Sequence, residues 1–186
     1  MKGSALVRNG MILAFVIAVG VFIGFDSTHM PWHGRMVNLE LTQESQGNIA
    51  LTESQLRKVV AQKHLTAYWT GPVAGDSYSI DSIDPSQIFI RYLPAGVSAQ
   101  SASPTYRVVS TYQVPNAFAN IQAAAKKKGG FGVLTSDGAA VYYEIAKPTN
   151  VYVAYKNSNI EFELYDPDPN LAFGTAIFAK NFQQVK

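Results

Sequence analysis

Hydrophobic and polar positions follow three different rhythms along this chain. From Met11 to Phe25 there is no rhythm at all: fifteen residues pass without a charged or hydrogen-bonding side chain. Lys2 and Arg8 precede the run and Asp26 closes it. A basic flank, an apolar core and a polar exit form a membrane-targeting pattern with the first residues kept in the cytoplasm. With Gly10 the run makes roughly 24 Å of helix, short of the ~30 Å hydrocarbon core. Its exit, Phe22 to Thr28, offers no small-x-small pair for signal peptidase, and Ala18-Val19-Gly20 lies inside the apolar run. The run therefore reads as an uncleaved anchor, lengthened by snorkelling of Arg8. Residues 1–9 are expected in the cytoplasm, 10–25 in the bilayer, and everything beyond Asp26 outside it.

The second rhythm is broken. Residues 26–50, with Pro31, Gly34 and the polar string Gln43 to Asn48, hold no sustained period and read as a stalk, apart from a possible short strand at Leu39 and Leu41. The third begins near Leu51 and fills residues 51–186. Thr52 and Gln55 form a capping box, and Leu56, Val59 and Val60 make one apolar face of a helix ending near Lys63. Strands are expected at Ala67–Thr70, Tyr78–Ile80, Gln87–Tyr92 and Tyr106–Tyr112. Pro115-Asn116 opens a second helix, Ala117 to Lys127, which Gly129-Gly130 stops. Further strands follow at Phe131–Leu134, Val141–Ile145, Val151–Tyr155 and Ile160–Tyr165. The last of these alternates apolar with acidic residues, so Glu161 and Glu163 are expected on a solvent face. Asp166-Pro167-Asp168-Pro169 leads to a short helix, Asn170 to Phe178.

The order of signals repeats. Pro85-x-x-Ile88-Phe89-Ile90-x-Tyr92 matches Pro148-x-x-Val151-Tyr152-Val153-x-Tyr155. Tyr112 followed by Pro115-Asn116 matches Tyr165 followed by Pro169-Asn170. The fold class expected is α+β, with an N-terminal transmembrane helix and a mostly antiparallel β domain carrying two or three helices. The repeats, 51–115 and 116–186, point to an internal duplication of α-ββββ-like units.

Charge narrows the partners. Only Lys2 and Arg8 of the fifteen basic residues precede Asp26, against none of the thirteen acidic ones, so the exported part is formally neutral. A neutral domain carries no footprint for nucleic acid. Lys126-Lys127-Lys128 sits at a helix C-terminus, where cations oppose the negative dipole end. The chain has no cysteine, so packing alone must hold the exported domain.

Candidate chemistry is sparse. His64 ends the first helix, and His29 and His33 flank Met30-Pro31-Trp32, where Trp32 suits the bilayer interface better than a metal site. Asp76, Asp81 and Asp84, and separately Asp166 and Asp168, are carboxylate clusters that fit turns and a helix start. No nucleophile elbow, phosphate loop, dinucleotide fingerprint or zinc motif occurs, and no cofactor or metal is called for. The aromatic strand residues remain. Tyr68-Trp69-Thr70-Gly71-Pro72 and Arg91-Tyr92-Leu93-Pro94-Ala95-Gly96 are the most unusual strings. Trp69, Arg91, Tyr92 and Tyr68 are the binding residues expected, with Arg91 needing a carboxylate partner or a wet face.

Those strings, together with Thr111-Tyr112, Pro115-Asn116-Ala117 and Val151-Tyr152-Val153-Ala154-Tyr155, resemble an uncharacterised family of single-pass actinobacterial membrane proteins with an exported α+β domain. The resemblance covers roughly residues 52–178 and implies no activity and no functional residue. The expectation is a non-enzymatic, membrane-anchored binding module of the bacterial cell envelope. It would hold the lipid bilayer through residues 10–25 and a protein or glycan partner through the faces around Trp69 and Arg91. A structural subunit of an envelope assembly is the alternative, and a carboxylate-dependent hydrolase the third reading.

Overall fold

The computed structural model describes residues 49–186 except 102, 179 and 180. The expected tail, membrane segment and nearly all of the stalk lie outside the described residues. Among the described residues no helix is long and apolar enough to cross a membrane.

The chain runs α1 (Glu53–Gln62), β1 (Tyr68–Trp69), β2 (Ser77–Asp84), β3 (Gln87–Leu93), β4 (Val108–Gln113), α2 (Ala117–Ala125), β5 (Gly130–Leu134), β6 (Ala139–Glu144), β7 (Asn150–Tyr155), β8 (Ile160–Tyr165), α3 (Pro169–Ala176) and β9 (Gln183–Gln184). The fold is α+β, as the periods indicate. A seven-stranded sheet has the order β2-β3-β4-β8-β7-β6-β5. Every neighbour in it is antiparallel. Two meanders, β2–β4 and β5–β8, thus join where β4 meets β8, in a register from Val108 opposite Tyr165 to Gln113 opposite Ile160.

Local chemistry explains the element ends. The capping box forms: Thr52 Oγ1 accepts from the Gln55 amide at 3.3 Å, and Gln55 Oε1 from the Thr52 amide at 2.8 Å. Leu56, Val59 and Val60 are the buried face of α1. Gly129, at φ +84°, turns the chain out of α2 in a conformation that disfavours a side chain. Asp168 Oδ1 accepts from the Asn170 amide at 2.8 Å and starts α3, with Pro169 in its first turn.

The two faces of the sheet are covered differently. One carries the larger core: α1, α3 and the small β1–β9 ribbon pack on Tyr78, Ile80, Ile88, Ile90, Val151 and Val153 among others. The Val185 amide on the Ala67 carbonyl at 2.9 Å closes the ribbon, and the Tyr68 amide on Thr111 Oγ1 at 3.0 Å ties it to β4. The other face carries α2, whose Ala117, Ile121 and Ala124 pack on Ala140, Tyr142, Tyr152 and Ala154. The small residues there allow close approach: a Cβ on Gly132 would lie 2.4 Å from the Ala125 Cβ and 2.8 Å from the Val141 carbonyl oxygen.

The repeated strings occupy matching places. Ile88, Ile90 and Tyr92 on β3, and Val151, Val153 and Tyr155 on β7, face the same core. The helices that follow the matched strands do not match, because α2 and α3 lie on opposite faces of the sheet.

Candidate functional site

The aromatic residues expected to bind a partner are mostly structural. Trp69 is 0% exposed, stacked edge-on against Tyr78 at 5.5 Å with the Arg57 guanidinium 4.9 Å from its ring centre. Tyr92 is also buried; its hydroxyl accepts from the Thr70 amide at 2.9 Å and donates to the Gly71 carbonyl at 3.1 Å. Burial pushes the Tyr92 phenol up to about 12. Tyr68 is half-buried against Phe162. Neither Trp69 nor Tyr92 presents its ring to a partner: Trp69 on the β1–β9 ribbon and Tyr92 on β3 both turn into the main core. Arg91 finds loop carbonyls rather than a carboxylate: its guanidinium donates to Ala99 O at 3.3 Å and Ser101 O at 2.6 Å, over the Tyr106 ring.

The aspartates sit apart. Asp84 accepts from the Ser86 amide and hydroxyl, which hold its carboxyl below the usual range. Asp81 lies on β2 and is exposed. Asp166 pairs with Arg107 at 2.8 Å and caps the Asp168 amide at 3.0 Å. A cleft of about 260 Å³ opens beside this pair, lined by Asp76, Tyr92, Tyr106 and Pro167. With its charges already joined, the Arg107–Asp166 pair braces the start of β4 against the approach to α3.

Glu161 and Glu163 reverse the sequence reading. Both are buried, at 0% and 3% exposure, on the face of β8 that α2 covers. Glu163 is well held: Tyr112 Oη donates at 2.7 Å, Asn150 Nδ2 at 2.7 Å and Tyr152 Oη at 3.4 Å. Among the described residues neither oxygen of Glu161 has a hydrogen-bond partner. Burial first, then the Glu163 charge, push the Glu161 carboxyl up to about 8. Burial raises Glu163 too, against the pull of its three donors. A protonated Glu161 beside a hydrogen-bonded Glu163 avoids two unpaired buried charges. Alternation along β8 showed that these residues share a face, but not that α2 returns to cover it.

The sheet ends differently on its two sides. At the β2 end the outward amides of Tyr78 and Ser82 are already bonded. Tyr78 and Leu51 exchange backbone bonds of 2.7 and 2.8 Å, and the Ser82 amide donates to Asp81 Oδ1 at 2.8 Å. A register shift follows between Ser82 and Asp84. Among the described residues the β5 end carries no such guard. The Thr135 amide bonds the Ala139 carbonyl, and the Ile145 amide the Gly129 carbonyl, each at 2.9 Å. The odd-numbered residues of β5 therefore face β6, and Gly130, Gly132 and Leu134 direct their backbone groups away from the sheet. The Gly130 amide folds back onto Lys127 O at 2.9 Å. Among the described residues nothing bonds the outward groups of Gly132 and Leu134, in a strand without charge, proline or bulge. Phe131, Leu134 and Ile145 are 39%, 62% and 62% exposed at this end. Phe131 also packs against the Tyr143 and Phe173 rings, at 5.0 and 5.8 Å between ring centres, so the edge has an aromatic floor.

No protein-family model matches the chain, no curated protein matches it, and no solved structure matches it.

Proposed function

We propose that this chain is a membrane-anchored, extracytoplasmic interaction module of the cell envelope, and that it takes its protein partner by strand addition at β5. The observation that carries the binding part is the open β5 edge, with outward amides and carbonyls at Gly132 and Leu134 beside exposed Phe131 and Leu134. An unguarded, uncharged edge is a ready template for another strand, with backbone bonds giving affinity and flanking side chains giving specificity. The location part is supported by the Lys2, Arg8 and Met11–Phe25 pattern. Of the protein and glycan partners considered, a strand edge suits a protein. The matched strands on either side of the β4–β8 junction support an origin by duplication, with α2 and α3 having diverged to opposite faces. A structural subunit of an envelope assembly uses the same edge.

A photo-reactive side chain at position 134 or at position 81, in the full chain in its own membranes, tests the reading. Adducts from position 134 and none from position 81 support it. No adduct from either, or equal adducts from both, overturns strand addition. Protease added from outside should remove the domain, and a protected domain would overturn the extracytoplasmic placement.

A further inference from the structure

We infer that the strand β5 accepts is β5 of a second copy of this chain, so that two sheets join edge to edge about a two-fold axis at Gly132. This rests on the strand-adding, membrane-anchored reading above. A two-fold axis through Gly132 sets the second copy's strand antiparallel, with Gly132 opposite Gly132, Gly130 opposite Leu134 and Phe131 opposite Val133.

The outward groups then match themselves. Gly132 of each copy donates to and accepts from Gly132 of the other. The Leu134 amide of each reaches the Gly130 carbonyl of the other, which is the acceptor left over because the Gly130 amide is bonded to Lys127. Phe131 and Val133 fall at a non-hydrogen-bonded pair, where facing side chains come closest. Both lie on the α3 side of the sheet, so the pair extends the Phe131–Tyr143–Phe173 cluster.

Charge fits the same arrangement. The turn before β5 holds Lys126, Lys127 and Lys128, and the turn after it holds Asp137. Antiparallel pairing sets the basic turn of one copy beside the acidic turn of the other, at both ends of the interface. A parallel pairing sets lysines against lysines. Glycine contributes as well, because α2 packs so closely on Gly132 that a side chain there would meet the Ala125 Cβ at 2.4 Å. A five-residue strand alone buries less than the ~1,200 Å² of a stable free interface. Two copies anchored in one bilayer meet at a much higher effective concentration, which lowers the area required.

The absence of cysteine makes the register testable. Full-length Phe131→Cys and Val133→Cys chains are expressed together and separately, oxidised mildly in the membrane, and run without reductant. The expected result is a disulfide dimer in the mixture and only background in each variant alone. Adding Leu134→Pro should abolish the dimer, since it removes an outward amide without touching the bonds to β6. A folding control is the unfolding transition of the Leu134→Pro chain, which should persist. Equal dimer in the mixture and in the single variants overturns the inference. So does its absence from the mixture while position 134 captures a different polypeptide, an outcome that leaves strand addition standing. Absence of both the dimer and any adduct at position 134 overturns the two readings together.

Discussion

The two ends of the seven-stranded sheet are built on opposite principles. The β2 end rests on large rings, Trp69, Tyr78 and Tyr92, in contact at 5.5 and 5.3 Å, and its outer edge is guarded on either side of Ile80, by Leu51 at Tyr78 and by Asp81 and a register shift at Ser82. The β5 end rests on small residues: Ala124, Ala125, Gly130 and Gly132 let α2 lie almost on the strand, while its outer edge is left open. Sheets without closure are normally blunted at both edges against unwanted pairing. Here the blunting devices gather at one edge, which supports the proposal that pairing is used at the other.

The sharpest way to break this contrast is to remove bulk at one end and add it at the other. Trp69→Ala empties a fully buried site and should cost about 3–5 kcal/mol, measured by urea unfolding of the domain. The next effect concerns pH and belongs to the α2 side. The folded-state pKa of Glu161 is pushed from 4.5 up to about 8, so the folded state binds the proton more tightly than the unfolded chain. Stability is therefore greatest below pH 4.5, falls as pH rises from there to about 8, and changes no further through this group above it. The fall should be on the order of 5 kcal/mol. Glu161→Gln should flatten that slope in urea titrations at several pH values; a slope unchanged in the variant would assign the pH dependence to other groups.

Gly132→Ala should cost about 1–3 kcal/mol, because the new methyl meets the Ala125 Cβ and the Val141 carbonyl with little room to yield. The smallest effect on folding is expected from Leu134→Pro. Its lost amide faces outward, so the change should stay within about 1 kcal/mol even as self-association disappears. Val133→Pro, one residue away, removes an amide that bonds to β6 and should destabilise the domain more. Thermal unfolding of the two proline variants side by side reads which alternate residues face the open side.

Much of this was legible from local signals. The Thr52–Gln55 box, the Leu56/Val59/Val60 face, the Gly129 stop and the Asp168 start each depend on residues a few positions apart, and each appears in the structure. The expected strands are all present with shifted ends, while β9 was missed because Gln183-Gln184 carries no apolar signal and exists only by pairing with Tyr68 and Trp69. What local signals lack is topology. Period-two alternation gave Glu161 and Glu163 a common face, yet whether water or α2 meets that face depends on where a helix some forty residues earlier returns. The aromatic character of Trp69 and Tyr92 was plain, but an aromatic on a short strand suits a core as well as a surface. Edges are set by strand order alone, so the string Gly130-Phe131-Gly132-Val133-Leu134 gave no hint of its place at the rim.

The most direct measurement is amide hydrogen exchange at Gly132 and Leu134 in the full chain, as its density in the bilayer is raised. The Tyr78 amide, bonded to Leu51, should be protected at every density. Gly132 and Leu134 should exchange fast in dilute samples and become protected as copies meet. Fast exchange at both positions at every density, or protection already complete in isolated copies, would contradict an open β5 edge that pairs.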